Sequence, residues 1–190
     1  MAAREDASSS WRVIDHRLVG ARRCDSPNQD ARPDGALPEL IVVHGISLPP
    51  GEFGGGHVEA LFTNRLDTEI HPSLADLEGV HVSSHLLIRR AGDVVQFVPF
   101  DRRAWHAGVS CWGERQGCND FSIGIELEGT DDTPYTDAQY TVLASVIAAL
   151  RRAYPTLGVE ALVGHCDVAP GRKTDPGPSF DWDRLCRTLG

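Results

Sequence analysis

The sequence predicts one α/β domain, a central mixed β-sheet of about five strands with α-helices against its faces. Three segments predict it. Leu40-Ile41-Val42-Val43 is a run of branched apolar residues bounded by turn formers, the pattern of a strand buried on both faces. Phe121–Gly129 alternates, with Phe121, Ile123, Ile125 and Leu127 on one side and Ser122, Gly124, Glu126 and Glu128 on the other. After Thr136, residues Tyr140, Leu143, Ile147, Leu150 and Tyr154 recur at helical steps and form one apolar face.

The remaining elements follow in chain order. Residues 1–10 are a polar tail, and residues 11–190 form the domain. Residues 24–38 are rich in Pro, Asn and Asp, which bond or bend locally, so they read as an ordered loop or arm. The strand at 40–43 ends on His44, and a Gly/Pro loop covers residues 47–56. Val58, Leu61 and Phe62 place a short helix within residues 57–66. Val82–Arg89 and Val94–Phe100 read as a hairpin around the turn Ala91-Gly92-Asp93.

Thr136 and Gln139 form a T-x-x-Q capping box that starts the long helix, and Pro155 marks its end. Ala161-Leu162-Val163 is a short strand leading to His165. Residues 166–179 read as loop, because the prolines and glycines of APGRKTDPGP preclude a helix. Asp181–Leu189 is a terminal helix.

Composition narrows the function. With 18 basic and 27 acidic residues, the net charge is −9, which argues against a nucleic-acid partner. No apolar run approaches the ~20 residues that span a bilayer, so no membrane partner is expected. The N-terminus lacks the apolar core of a secretory signal. Five scattered cysteines without CxxC spacing read as reduced thiols, so the expected compartment is cytoplasmic. A monomer is the default expectation.

Candidate chemistry gathers around two of the eight histidines. His44 follows LIVV and His165 follows LVG, so both stand at the ends of buried strands, where side chains are held rigidly. Asp175 lies in a proline-restrained loop after His165. Two imidazoles and a carboxylate are the ligand types zinc accepts, and three protein ligands leave a fourth position open. Lys173 shares the side of an extended segment with Asp175, where its charge could meet a developing oxyanion. Glu126 and Glu128 lie on the same face of their strand, so either could be a general acid/base; Gly124 beside them leaves room for a ligand. Trp105 and His106, flanked by small residues, read as a wall for a sugar or peptide. A cysteine hydrolase using Cys166 beside His165 is disfavoured, because neighbours on a strand end point to opposite sides.

Four longer segments carry a resemblance. IVVHGISLPPGEFGG, SSHLLIRRAGDVVQFVPFDRRAWHAGVS, CNDFSIGIELEGTDDTPYTDAQY and GHCDVAPGRKTDPGPSFDW resemble the AmpD family of bacterial zinc N-acetylmuramoyl-L-alanine amidases. That family is related to peptidoglycan recognition proteins and phage amidase-type lysozymes. The resemblance covers about residues 11–185.

The resemblance implies one zinc ion per chain, held by His44, His165 and Asp175. It implies that Glu126, and not Glu128, is the acid/base, that Lys173 stabilises the oxyanion and that Trp105 lines the substrate groove. The implied substrate is a soluble muropeptide carrying 1,6-anhydro-N-acetylmuramic acid, cut at the amide between the lactyl group and L-alanine during cytoplasmic cell-wall recycling. Two alternatives stand beside it: a sacculus-directed amidase, expected to carry an export signal, and a non-catalytic wall-fragment binder, expected to lack a ligand. Gly45 and Gly117 depart from the family pattern, where asparagine and arginine are expected.

Overall fold

Branched apolar residues in this chain cluster where strands must be buried on both faces, and the sheet forms there. The computed structural model describes residues 11–190; the expected tail, residues 1–10, lies outside them. Six strands make the main sheet: β1 (Arg22–Arg23), β2 (Leu40–Ile46), β3 (Leu86–Ile88), β4 (Val94–Gln96), β5 (Ser122–Glu128) and β6 (Leu162–Gly164). Their spatial order is β6-β2-β5-β3-β4-β1. Only the hairpin β3/β4 is antiparallel, so the sheet is mixed as expected, with one strand more than the sequence suggested.

Helices cover the sheet. They are α1 (His57–Phe62), α2 (Asp137–Ala153), the single turn α3 (His165–Val168) and α4 (Trp182–Leu189). The capping box of α2 is formed: Thr136 Oγ1 accepts from the Gln139 amide at 3.2 Å, and Gln139 Oε1 accepts from the Thr136 amide at 3.0 Å. Gln139 is fully buried, and its Nε2 donates to the carbonyls of Ile88 and Glu128, tying the helix start to two strand ends.

The core lies on both faces of the sheet. On one side Ile41, Val43, Ile123, Ile125 and Leu127 pack against Leu143, Ile147 and Leu150 of α2, with Leu185 of α4. Each such side chain, fully buried, contributes about 1.5–3 kcal/mol. On the other side Leu87, Val95 and Phe97 pack against Val58, Leu61 and Phe62 of α1. All seven residues of β5 are buried, so its polar side is covered by the rest of the chain except where Glu126 meets a cleft.

Phe121 departs from the alternation. It precedes the strand, packs with Leu40 and Val42 on the opposite side from Ile123, and lies beneath the Arg115 guanidinium at 3.8 Å. The 24–38 arm contains a short strand, Gln29–Ala31, paired with Arg102–Ala104. No helix among the described residues is long and apolar enough to cross a membrane.

Candidate metal centre

The parallel ladder between β2 and β5 sets the site. Alternation along β2 sends Leu40, Val42 and His44 to one face and Ile41 and Val43 to the other. His165 does not extend a strand; it opens α3, and residues 166–168 are helical where loop was expected. The turn closes because the Asp167 carboxylate accepts from the Gly164 amide at 2.7 Å. The Cys166 amide then donates to the Asp175 carbonyl at 2.9 Å, which pins the Pro/Gly loop so that Asp175 returns to His165.

Three ligand atoms converge. His44 Nδ1 and His165 Nδ1 are 3.0 Å apart, and Asp175 Oδ2 lies 3.2 Å from the first and 3.0 Å from the second. A tetrahedral zinc ion with ligands at about 2.0–2.1 Å separates them by about 3.3 Å, so the triangle has the size the ion requires. His165 Nε2 faces the Ala107 carbonyl at 3.2 Å and must donate to it, which leaves Nδ1 a bare lone pair turned to the triangle. His165 Nδ1 and Asp175 Oδ2 face one another as acceptors, which repel unless a cation lies between them. The residues therefore fit zinc, with one side of the triangle open to a cleft of about 310 Å³.

The electrostatics agree. Burial pushes His44 down to about 4, so it stays neutral and able to ligate. Burial alone would push the Asp175 carboxyl up, but the two facing imidazoles outweigh this and hold it below the usual carboxylate range.

Glu126 and Glu128 are separated by their surroundings. The Glu128 carboxylate accepts from the amides of Gly54 at 2.6 Å and Arg90 at 3.2 Å, and Arg89 lies 3.7 Å away. It is a tie for the 47–56 loop. Glu126 has no hydrogen-bond partner among the described residues and lines the cleft with the triangle, Trp105 and Lys173. Burial pushes its carboxyl well above the usual range; Asp175 adds to this and Lys173 opposes it. A carboxyl held that way exchanges protons closer to neutral pH than an exposed one. A larger hollow of about 560 Å³ beyond Arg172 contains none of these groups.

A family model described as N-acetylmuramoyl-L-alanine amidase matches residues 34–178. The chain belongs to this amidase family. It is 61% identical over 168 residues to the 1,6-anhydro-N-acetylmuramyl-L-alanine amidase AmpD of Escherichia coli (strain K12), covering 88% of this chain and 91% of that one. Its fold matches a crystal structure of a Se-Met AmpD derivative with a TM-score of 0.91 and 56% identity, covering 94% of this chain and 99% of that chain. A more distant match is the Escherichia coli amidase AmiD in complex with the substrate anhydro-N-acetylmuramic acid-L-Ala-D-gamma-Glu-L-Lys. There the TM-score is 0.59 and the identity 28%, over 95% of this chain and 66% of that one.

Several expectations need correction in this amidase. The space over Gly124 does not receive a ligand: a Cβ there would lie 2.5 Å from Cγ of His106, whose ring fills it. His106 touches the cleft, but its Nδ1 lies 2.9 Å from His44 Nε2 and its Nε2 lies 3.1 Å from Ser122 Oγ. Both ring nitrogens are thus engaged inside the protein. Cys166 is disfavoured as a nucleophile for a different reason than strand alternation, since it lies on a helical turn: burial and then Asp167 push its thiol up. At Gly45 any Cβ would collide with the Tyr135 hydroxyl, which donates to the Pro176 carbonyl at 2.9 Å next to Asp175. Gly117 has φ +72°, a conformation an arginine adopts only with strain.

Proposed function

We propose that this chain hydrolyses the amide joining the lactyl group of 1,6-anhydro-N-acetylmuramic acid to L-alanine in soluble muropeptides, as a cytoplasmic recycling enzyme. One observation carries the reading: a zinc-sized triangle of acceptors and an unpartnered buried carboxyl share one cleft. His44 Nδ1, His165 Nδ1 and Asp175 Oδ2 would hold one zinc ion. When bound, zinc supplies a Lewis acid and lowers the pKa of water to about 7.

The chain's own residues do the rest. Glu126 takes a proton from the attacking water as its oxygen bonds to the lactyl carbonyl carbon. The same carboxyl then delivers that proton to the alanine nitrogen as the C–N bond breaks, because an amine leaves poorly without it. Lys173 holds the charge that develops on the carbonyl oxygen. Trp105 offers a flat wall to the sugar or the peptide.

The test uses purified protein, with and without chelator, against an anhydro-muramoyl tripeptide and against intact cell wall. Chelator-sensitive cleavage of the tripeptide is expected. Cleavage of the wall at a comparable rate would overturn the recycling assignment in favour of a sacculus-directed amidase. No cleavage of either would favour a fragment binder.

A further inference from the structure

The short segment Trp105–Ala107 touches both histidines of the triangle from behind. His106 Nδ1 lies 2.9 Å from His44 Nε2, and the Ala107 carbonyl lies 3.2 Å from His165 Nε2. Three side chains hold that segment: Asn119 Oδ1 accepts from the amides of His106 at 3.1 Å and Ala107 at 2.8 Å, Ser83 Oγ accepts from the Trp105 amide at 3.0 Å, and Arg172 donates to the Ala107 carbonyl at 2.6 Å. The Asn119 turn is itself pinned by Arg32, which is buried without a carboxylate partner among the described residues and donates to the carbonyls of Phe100, Asn119, Asp120 and Ser122.

The proton directions along this chain are restricted. An amide donates, so Asn119 must present its oxygen, which fixes the amide's flip. A carbonyl only accepts, so His165 carries its proton on Nε2. His106 could in principle run either way, because the Ser122 hydroxyl rotates to give or take a proton. If His106 donated to His44 Nε2, His44 would carry its proton on Nδ1, pointing into the triangle and closing it to a cation. If His106 accepts, His44 Nδ1 is bare and His106 Nε2–H donates to Ser122 Oγ. The ring can lie there only because residue 124 has no Cβ.

We propose that His106 and Asn119 are positioning residues that set the tautomers of both metal-facing histidines. His106 accepts the Nε2–H of His44. Asn119 holds the backbone whose Ala107 carbonyl accepts the Nε2–H of His165. This rests on the reading of His44, His165 and Asp175 as zinc ligands, and it gives His106 a task other than contacting substrate. Such outer hydrogen bonds fix ring orientation and raise ligand basicity, and removing one typically weakens metal binding about 10–100-fold.

The experiment has two arms. Imidazole ¹H–¹⁵N correlation spectra of the zinc-loaded full chain should show His44 and His106 each protonated on Nε2 alone. A His106 protonated on Nδ1 would overturn the proposal without any variant being made. Zinc affinity, by competition with a chromophoric chelator, then compares the parent with His106→Phe, His106→Asn, Asn119→Leu and Asn119→Asp. His106→Phe keeps a ring over Gly124 but no acceptor, and should bind zinc about 10–100-fold more weakly. His106→Asn puts an amide oxygen near the place of Nδ1 and should recover most of that loss. Asn119→Asp keeps an oxygen that accepts both amides and should bind far better than Asn119→Leu. A parent that binds zinc and a His106→Phe variant that binds it equally well would sink this inference alone. A parent that binds no zinc would sink the ligand assignment, and this inference with it.

Discussion

Glu126 stands directly beside His44 across the parallel ladder of β2 and β5, as paired Cα positions. Residues paired this way project from the same face of the sheet. The carboxyl and the first metal-facing imidazole are therefore fixed relative to one another by backbone hydrogen bonds, not by loops. Glu126→Gln keeps the shape and removes the base. It should retain stoichiometric zinc while turnover falls about 10²–10⁴-fold. Normal turnover in that variant would remove Glu126 from the chemistry.

Asp175 closes the triangle from a loop tied to α3 by the Cys166 amide. Asp175→Ala leaves the two imidazoles without an anionic ligand beside them. Elemental analysis of the purified variant should show zinc well below one per chain, with the far-ultraviolet spectrum unchanged. Full occupancy would contradict the ligand assignment.

Lys173 is exposed yet lines the cleft beside Glu126 and Asp175. A charge that acts on the developing oxyanion helps the transition state more than the bound substrate. Lys173→Ala should lower kcat on the order of 10²-fold with a smaller change in KM. A change confined to KM would make it a binding residue.

His85 gives a pH prediction for stability. It is fully buried between the Gly124 amide, which donates to its Nδ1, and the Arg102 carbonyl, which accepts from its Nε2. Burial and then Arg32 hold its pKa down at about 3, against 6.5 for the free side chain. Above 6.5 both folded and unfolded chains hold it neutral, and the full contribution is present. As the pH falls from about 6.5 towards about 3, only the unfolded chain takes up the proton, so that contribution is lost at up to about 1.4 kcal/mol per pH unit. Urea unfolding in chelator should show the stability gap between the parent and His85→Gln narrowing over that range. A gap independent of pH would contradict the neutral buried state.

What the sequence revealed, and what it hid, follows the range of the interactions. The α2 cap is local, so Thr136 and Gln139 announce it within four residues. The strand that carries His44 is marked by its own apolar run, although it continues past His44 to Ile46. His44 and His165 were legible as a pair because each follows a local apolar run. Alternation left the choice between Glu126 and Glu128 open, and only the family resemblance made it, since it depends on amides of Gly54 and Arg90 that are distant in sequence. The strand Arg22–Arg23 has only two residues and no apolar pattern; it exists because β4 offers an edge. The role of Gly124 was misread for the same reason. A bare backbone invites a neighbour, but only the tertiary fold says that the neighbour is His106.

β5 has a consequence for how this protein can vary. Its seven residues are all buried, one side in the α2 core and the other against His106, the cleft and the 47–56 loop. A saturation mutagenesis library should therefore find almost no tolerant position along it, but two alternating kinds of failure. Changes at Ile123, Ile125 and Leu127 should deplete folded protein, whereas Glu126→Gln should leave abundant protein that no longer works. In this strand, neighbouring codons are under separate selection, one for the existence of the fold and the next for its use.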